Sequence, residues 1–217
     1  MNRGLVISIF ALFTLSAVTQ VVEHIGDALA EPSGRAWLVT GYWLLKTAVV
    51  TAFCWAVIKR APARRAAREP VAFVACAAAI LGAVALRGPQ DDAPTAMLVA
   101  GEAVALVSCA FLLASALALG TCFGVLPEAR GLVTRGPYGL VRHPVYLGEL
   151  GVCAGLVIGA PTTWNLIAAG VLVAGQLGRM RLEERALERE FPEYAAYAAR
   201  TRRLVPVPVR HRVVEAS

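Results

Sequence analysis

Arg142, His143 and Tyr146 stand within five positions of one another in GPYGLVRHPVYLGELG, Gly136 to Gly151, a polar stretch between two apolar runs. A guanidinium, an imidazole and a phenol can between them hold an anion, move a proton and donate a hydrogen bond. The backbone is equally particular. Gly136-Pro137 and Gly139 read as a turn, and Pro144 disfavours helix in His143 while suiting the first turn of a new helix. A helix is therefore predicted to start at Pro144, with Tyr146, Gly148 and Glu149 in its first turns and free N–H groups that favour an anionic ligand. An ordinary interfacial loop competes with that reading, with Arg142 on lipid phosphates and Tyr146 in an aromatic belt. A second group, Glu183-Glu184, closely follows the last apolar run. Two adjacent carboxylates there suit a cationic or hydroxyl-bearing ligand.

The elements that must position these groups are apolar. Of 217 residues, 58% are hydrophobic and 17% charged, more than a soluble domain of this length needs. The predicted fold is all-α, a polytopic membrane bundle of about five to six spans with an amphipathic C-terminal helix on the cytoplasmic side. The spans run Gly4 to Val22, Ala36 to Ile58, Val71 to Leu86 and Met97 to Leu119, then Val145 to Gly159 and Trp164 to Gly178. The last two reach only about 22 Å each along a helix axis, and are expected to form a short or tilted hairpin around Ala160-Pro161-Thr162-Thr163. Ala28-Leu29-Ala30 resembles a signal cleavage site, but Glu23, His24 and Asp27 separate it from the apolar core, so an uncleaved first span is expected. Two regions follow, an N-terminal set of helices over 1–120 and a core over 121–217.

The net charge of +6 is read by location and not as a nucleic-acid footprint. Lys59, Arg60, Arg64, Arg65 and Arg68 against Glu69 make the second loop basic, as Arg130, Arg135 and Arg142 against Glu128 make the fourth. Glu23, Asp27 and Glu31 against Arg35, then Asp91 and Asp92 against Arg87, make the other two acidic. This alternation, with a tail of nine arginines, predicts both termini and the Arg142 loop in the cytoplasm. Bias toward Ala, Arg and Val points to a GC-rich bacterial genome, hence an inner membrane. Within the spans, Lys46 and Glu102 are expected to pair with each other, to neutralise, or to snorkel. From Arg179 onward, Met180, Leu187, Phe191 and Tyr194 share one helical face, with Arg181–Glu184 and Arg189–Glu193 as neighbours. Cys54, Cys76, Cys109, Cys122 and Cys153 form no CxxC or Cys/His cluster, so they read as small buried hydrophobes with no metal site.

GPYGLVRHPVYLG, a short apolar hairpin, the EE pair and FPEYAAYAARTRRLVP together resemble the isoprenylcysteine carboxyl methyltransferase family, which includes related phospholipid methyltransferases. The likeness covers Gly131 to Pro206. The resemblance implies an all-helical membrane enzyme that uses S-adenosylmethionine, gives S-adenosylhomocysteine, and has no Rossmann domain. It implies cofactor-pocket positions at Tyr138, His143, Tyr146, Gly148, Glu183 and Glu184, and catalytic roles for Arg142, His143 and Glu184; Pro144 completes the motif. Carboxylates suit the methionine ammonium or ribose hydroxyls, and His143 with nearby N–H donors suits the cofactor carboxylate.

Methyl transfer from a sulfonium needs in-line approach of a nucleophile more than a strong base. A hydroxyl or amine acceptor would add the need for proton removal, by His143 or a glutamate. The expected acceptor is lipophilic, an isoprenoid or lipid carboxylate or another heteroatom group, arriving sideways from the bilayer; its identity and the oligomeric state are not legible. Membrane sterol reductases, which use NADPH, share RHPxYxG and a tyrosine-rich tail, but carry an aspartate-glutamate pair and a nearby cysteine where this chain has Glu183-Glu184. A non-enzymatic transporter, with Lys46 and Glu102 on its path, is the reading from a different class; no internal repeat supports it.

Overall fold

The computed structural model describes residues 3–60, 65–66, 69–88 and 93–205, with backbone only for Arg3, Leu5, Arg65 and Ala66. Arg64, Arg68, Asp91, Asp92, Pro206, Arg210 and Arg212, which entered the charge count and the tail motif, lie outside the described residues. The main helices are α1 (Arg3–Ala30), α2 (Gly34–Lys59), α3 (Pro70–Ala85), α4 (Thr95–Leu119), α6 (Pro144–Gly159) and α7 (Thr163–Glu190). Two short ones, α5 (Pro137–Leu140) and α8 (Tyr194–Arg200), sit beside the functional loop. Local signals start them: Ser33 Oγ accepts from Ala36 N–H at 3.0 Å, Thr162 Oγ1 from Asn165 N–H at 3.1 Å, and prolines occupy the first turns of α3, α5 and α6.

Three segments, Val6–Ala30, Gly34–Lys59 and Thr95–Cys122, are long and apolar enough to cross a membrane, and α3 and α6 are shorter apolar helices. Their outer faces carry exposed aliphatic side chains such as Leu12, Leu15, Val84, Val107 and Leu117. Large apolar residues outside and small ones between helices is the arrangement lipid favours, since close backbone approach replaces the hydrophobic drive. A Cβ placed on Gly101 would lie 2.5 Å from Gly155 O, one on Gly155 2.5 Å from Gly101 O, and one on Gly148 2.7 Å from Leu112 Cβ. Glycine is therefore what lets α4 and α6 touch. On the other side a Cβ on Gly82 would lie 2.5 Å from Leu172 N, which brings α3 onto α7.

These contacts change the expected hairpin. α6 packs chiefly on α4 and α7 on α3, so the two last apolar runs are neighbours in sequence more than in packing. Asn165, wholly buried, fixes that pairing: its Oδ1 accepts from Arg87 N–H at 2.9 Å, and its Nδ2 donates to the carbonyls of Arg87 and Ala160. α7 also runs unbroken for 28 residues, about 42 Å of helix, where a separate surface helix was expected after Gly178. Nothing between Thr163 and Glu190 stops it, because Leu, Ala, Arg, Glu and Met are good helix formers and the next proline is Pro192. Its charged half is packed inward, with Met180, Leu182, Glu184 and Ala186 buried. α1 likewise continues past Glu23, His24 and Asp27 to Ala30.

A two-residue antiparallel pair, β1 (Arg65–Ala66) with β2 (Glu128–Ala129), was not foreseen; it brings the two basic loops to one face. At the opposite end, Arg35 Nη2 donates to Glu102 Oε1 at 2.7 Å. That pairing replaces the expected Lys46–Glu102 contact, since Lys46 lies eleven residues, about 16 Å, further along α2. Lys46 Nζ instead stands 4.1 Å from the centre of the Trp43 ring. All five cysteines are free, and Cys54 and Cys122 are only partly buried.

Candidate active site

Gly136 enters the site at φ 63°, a region where glycine is the natural residue, and Pro137 then begins the single turn of α5. Val141 leaves that turn in extended conformation, His143 caps α6, and Pro144 is its first residue. The extended piece finds a partner in the chain's own tail. Val141 pairs in parallel with Arg202; Arg142 N–H donates to Arg202 O at 2.7 Å and His143 N–H to Arg203 O at 3.1 Å. Tyr197 Oη donates to Tyr138 O at 2.7 Å. The C-terminal segment is thus a strap fastened along the Arg142–His143 loop. The Arg142 and His143 N–H groups, just ahead of α6, are thereby engaged by tail carbonyls.

Glu184 ties the strap down. Its Oε1 accepts from His143 Nε2 at 3.0 Å, and its carboxylate takes Arg203 Nε and Nη2, the latter at 2.6 Å. Arg142 Nε is a further 3.5 Å ion-pair neighbour. An ionised carboxylate only accepts, so the His143 proton sits on Nε2. Burial alone would raise the Glu184 carboxyl, but hydrogen bonds from His143 and Arg203 and the Arg142 charge hold it down at about 2. Glu184 is therefore ionised and fully occupied.

A cavity of about 420 Å³ opens beside this knot. Tyr138, Arg142, His143 and Tyr146 form one wall, and Glu149, Arg179 and Glu183 extend it along α6 and α7. Tyr146 Oη donates to Glu183 Oε2 at 2.8 Å. Gln176 Nε2 donates to Glu149 Oε2, and Arg179 Nη1 donates back to Gln176 Oε1 at 3.0 Å. The Arg179 guanidinium also lies 5.0 Å from the centre of the Tyr146 ring. Apart from Glu128, the remaining wall is mainly apolar: Val6 and Phe10 of α1, Phe53 of α2, Ile80 of α3, with Leu119 and Phe123. Phe53 and Phe123 stack with ring centres 4.5 Å apart.

Of the residues singled out in the sequence, Tyr138, Arg142, His143, Tyr146 and Glu183 meet at the cavity. Glu184 stands behind them, bonded to His143, and Gly148 faces Leu112 at the α4–α6 contact. Glu149, Gln176 and Arg179 were not assigned to the site. Their signal was available, since an ionisable or amide side chain inside an apolar run marks a polar interior. The cavity wall draws on both sides of the boundary placed at residue 120, with α1, α2 and α3 supplying its apolar part.

The loop, bonded to its strap, thus borders a cavity with one polar and one mainly apolar side within a bundle of apolar helices. Residues 93–194, from α4 through the loop to the start of α8, match the phospholipid methyltransferase family model. It is also 42% identical over 78 residues to the cobalt-zinc-cadmium resistance protein CzcN of Cupriavidus metallidurans, covering 35% of each chain. The nickel-cobalt-cadmium resistance protein NccN of Alcaligenes xylosoxydans xylosoxydans is 40% identical over 78 residues, which cover 35% of this chain and 36% of that protein. The matched stretch thus spans about a third of either curated relative.

Proposed function

We propose that this protein transfers a methyl group from S-adenosylmethionine to a lipophilic acceptor, within the cavity beside the Arg142–His143 loop. The observation that carries this reading is the cavity's division: charged and hydrogen-bonding groups on one wall, aromatic and aliphatic side chains on the other. The polar wall fits the donor's chemistry. Arg142 Nε and Arg179 Nε are buried without a hydrogen-bond partner among the described residues, while Glu149 and Glu183 offer carboxylates. A ligand bearing a carboxylate, an ammonium and a sulfonium finds both signs there. When bound, that ligand supplies an electrophilic methyl group. The chain's own part is to hold it: Glu183 and Tyr146 face the cationic portion, Arg142 and His143 the anionic portion, and Glu184 fixes His143 in place.

The basic loops on one face support a cytoplasmic position for the site and for both termini, in a bacterial inner membrane. The apolar wall supports delivery of the acceptor from the bilayer side, past α1 and α3. Calorimetry on the detergent-purified protein tests the reading, with S-adenosylhomocysteine as ligand and NADPH as the paired control. Saturable S-adenosylhomocysteine binding, weakened at least tenfold in Glu183→Gln, is expected. Binding of NADPH alone would transfer the protein to the reductase class.

A further inference from the structure

We propose that the protein holds one anionic phospholipid in a groove on the outer side of α2, its hydrocarbon lying along the helix and its phosphate against Lys59. This site is separate from the cavity and does not depend on the methyl-transfer reading. α1 and α4 both pack on α2, and between them they leave an open groove of about 670 Å³. Thr47, Ala48, Thr51 and Ala52 give it a floor of small residues, while Val18 and Val22 of α1 and Leu113 and Leu117 of α4 form its walls. Phe53, which lines the cavity, points from the opposite face of α2. Both hydroxyls of the floor donate within α2, Thr47 Oγ1 to Trp43 O at 2.9 Å and Thr51 Oγ1 to Thr47 O at 2.7 Å. The groove therefore offers an occupant van der Waals contact and no free donor.

Dimensions select the occupant. Leu44 and Trp55, at the two ends of the groove, are eleven positions apart along α2, about 16 Å. One leaflet of a bilayer's hydrocarbon core is about 15 Å deep. Spread over that length, the volume gives a mean cross-section of about 40 Å², half or less of what a helix 10–12 Å across fills. A second helix is thus too thick to enter, whereas hydrocarbon chains, packing at about 4 Å carbon to carbon, fit. Charge then selects the headgroup. Leu44, Ala48, Thr51 and Trp55 recur at spacings of four, three and four, and Lys59, four further on, continues the same stripe. Trp55 is half-exposed, at the level where an indole N–H meets lipid headgroups. Lys59 stands one turn beyond it, exposed and without an ion pair to any described residue, at the end of the bundle that carries the Arg142 loop. An ammonium there, above a chain-sized groove and an interfacial tryptophan, suits a phosphate with net negative charge.

The test titrates the delipidated, detergent-purified full-length protein with phosphatidylglycerol or with phosphatidylcholine of the same acyl chains, and counts bound lipid per chain by native mass spectrometry. The first phosphatidylglycerol is expected to bind about fivefold or more tighter than the first phosphatidylcholine. That preference should vanish in Lys59→Gln and return in Lys59→Arg. Ala48→Phe, which fills the floor, should lose the first phosphatidylglycerol, while Val107→Phe, at an exposed position of α4 outside the groove, should keep it. Equal affinity for the two lipids, or a preference undiminished in Lys59→Gln, would overturn the inference and leave only the ordinary lipid shell of a membrane protein. Undiminished binding in Ala48→Phe would overturn it too, by placing the lipid elsewhere. Lipid-free dimers that Ala48→Phe disperses would give the groove to a second copy instead. Should Ala48→Phe fail to fold, the headgroup comparison across wild type, Lys59→Gln and Lys59→Arg decides alone.

Discussion

Replacing Glu184 by glutamine keeps the side chain's shape and removes the charge around which His143, Arg142 and Arg203 gather. Holding a carboxyl at about 2 instead of its ordinary 4.5 corresponds to roughly 3 kcal/mol of favourable interaction with the ionised form. Arg203's side chain is 51% exposed, so solvent screens part of this, and about 2 kcal/mol is the expected loss. For a chain of this size that lowers Tm by roughly 4–8 °C. The folded carboxyl lies below its unfolded value, so the contribution is complete above about pH 4.5 and disappears as the pH falls toward 2. Between pH 7 and 5 the wild-type–variant difference should therefore be constant. The assay is thermal unfolding in detergent followed by tryptophan fluorescence, paired with limited trypsin digestion. Release of the strap should expose the bonds after Arg200, Arg202 and Arg203, and cleavage there should accelerate in Glu184→Gln. Unchanged Tm together with unchanged tryptic protection would refute the view that Glu184 fastens the strap to the loop.

Tyr197→Phe removes the bond to the Tyr138 carbonyl and should cost about 1 kcal/mol, with faster tryptic cutting at the same arginines. Gly155→Leu forces a side chain into the Gly101 and Ala105 backbone of α4; a loss of at least about 1–3 kcal/mol is expected, read as reduced yield of monodisperse protein. A double-mutant cycle on Arg35→Ala and Glu102→Ala should give a coupling of about 0.2–1 kcal/mol. The same pair should leave S-adenosylhomocysteine affinity unchanged, because it closes the end of the bundle away from the Arg142 loop.

The spans were legible because long apolar runs have few alternatives, and the loop because Gly136, Pro137 and Pro144 dictate where helices stop and start. Arg142, His143, Tyr146 and Glu183 could be grouped from one short motif and one pair of carboxylates. What escaped was whatever depends on register between distant helices. Glu102 meets Arg35 instead of Lys46 because the two lie at the same level of the bundle, which no spacing along a single helix reveals. α6 meets α4 through Gly101, Gly155 and Gly148, and glycines inside apolar runs read from sequence only as tolerated breaks. That the C-terminal segment folds back over the loop was legible from its charge and position; its backbone pairing there escaped for a related reason. Backbone hydrogen bonds between Arg202–Arg203 and Arg142–His143 leave no side-chain signature, and the tail's arginines read simply as positive charge. Glu149, Gln176 and Arg179 sit one per turn or two among apolar neighbours, and only the fold shows that they converge.

Cys76 and Cys122 line the cavity, whereas Cys54 does not, and that difference gives the most direct test of where the donor binds. The measurement is the rate of labelling of each cysteine by a small thiol reagent, read by mass spectrometry with and without saturating S-adenosylhomocysteine. Binding in the cavity predicts that labelling of Cys76 and Cys122 slows several-fold while Cys54 is unaffected. Saturable binding that leaves Cys76 and Cys122 unprotected, or that protects Cys54 instead, would place the ligand elsewhere and contradict the account.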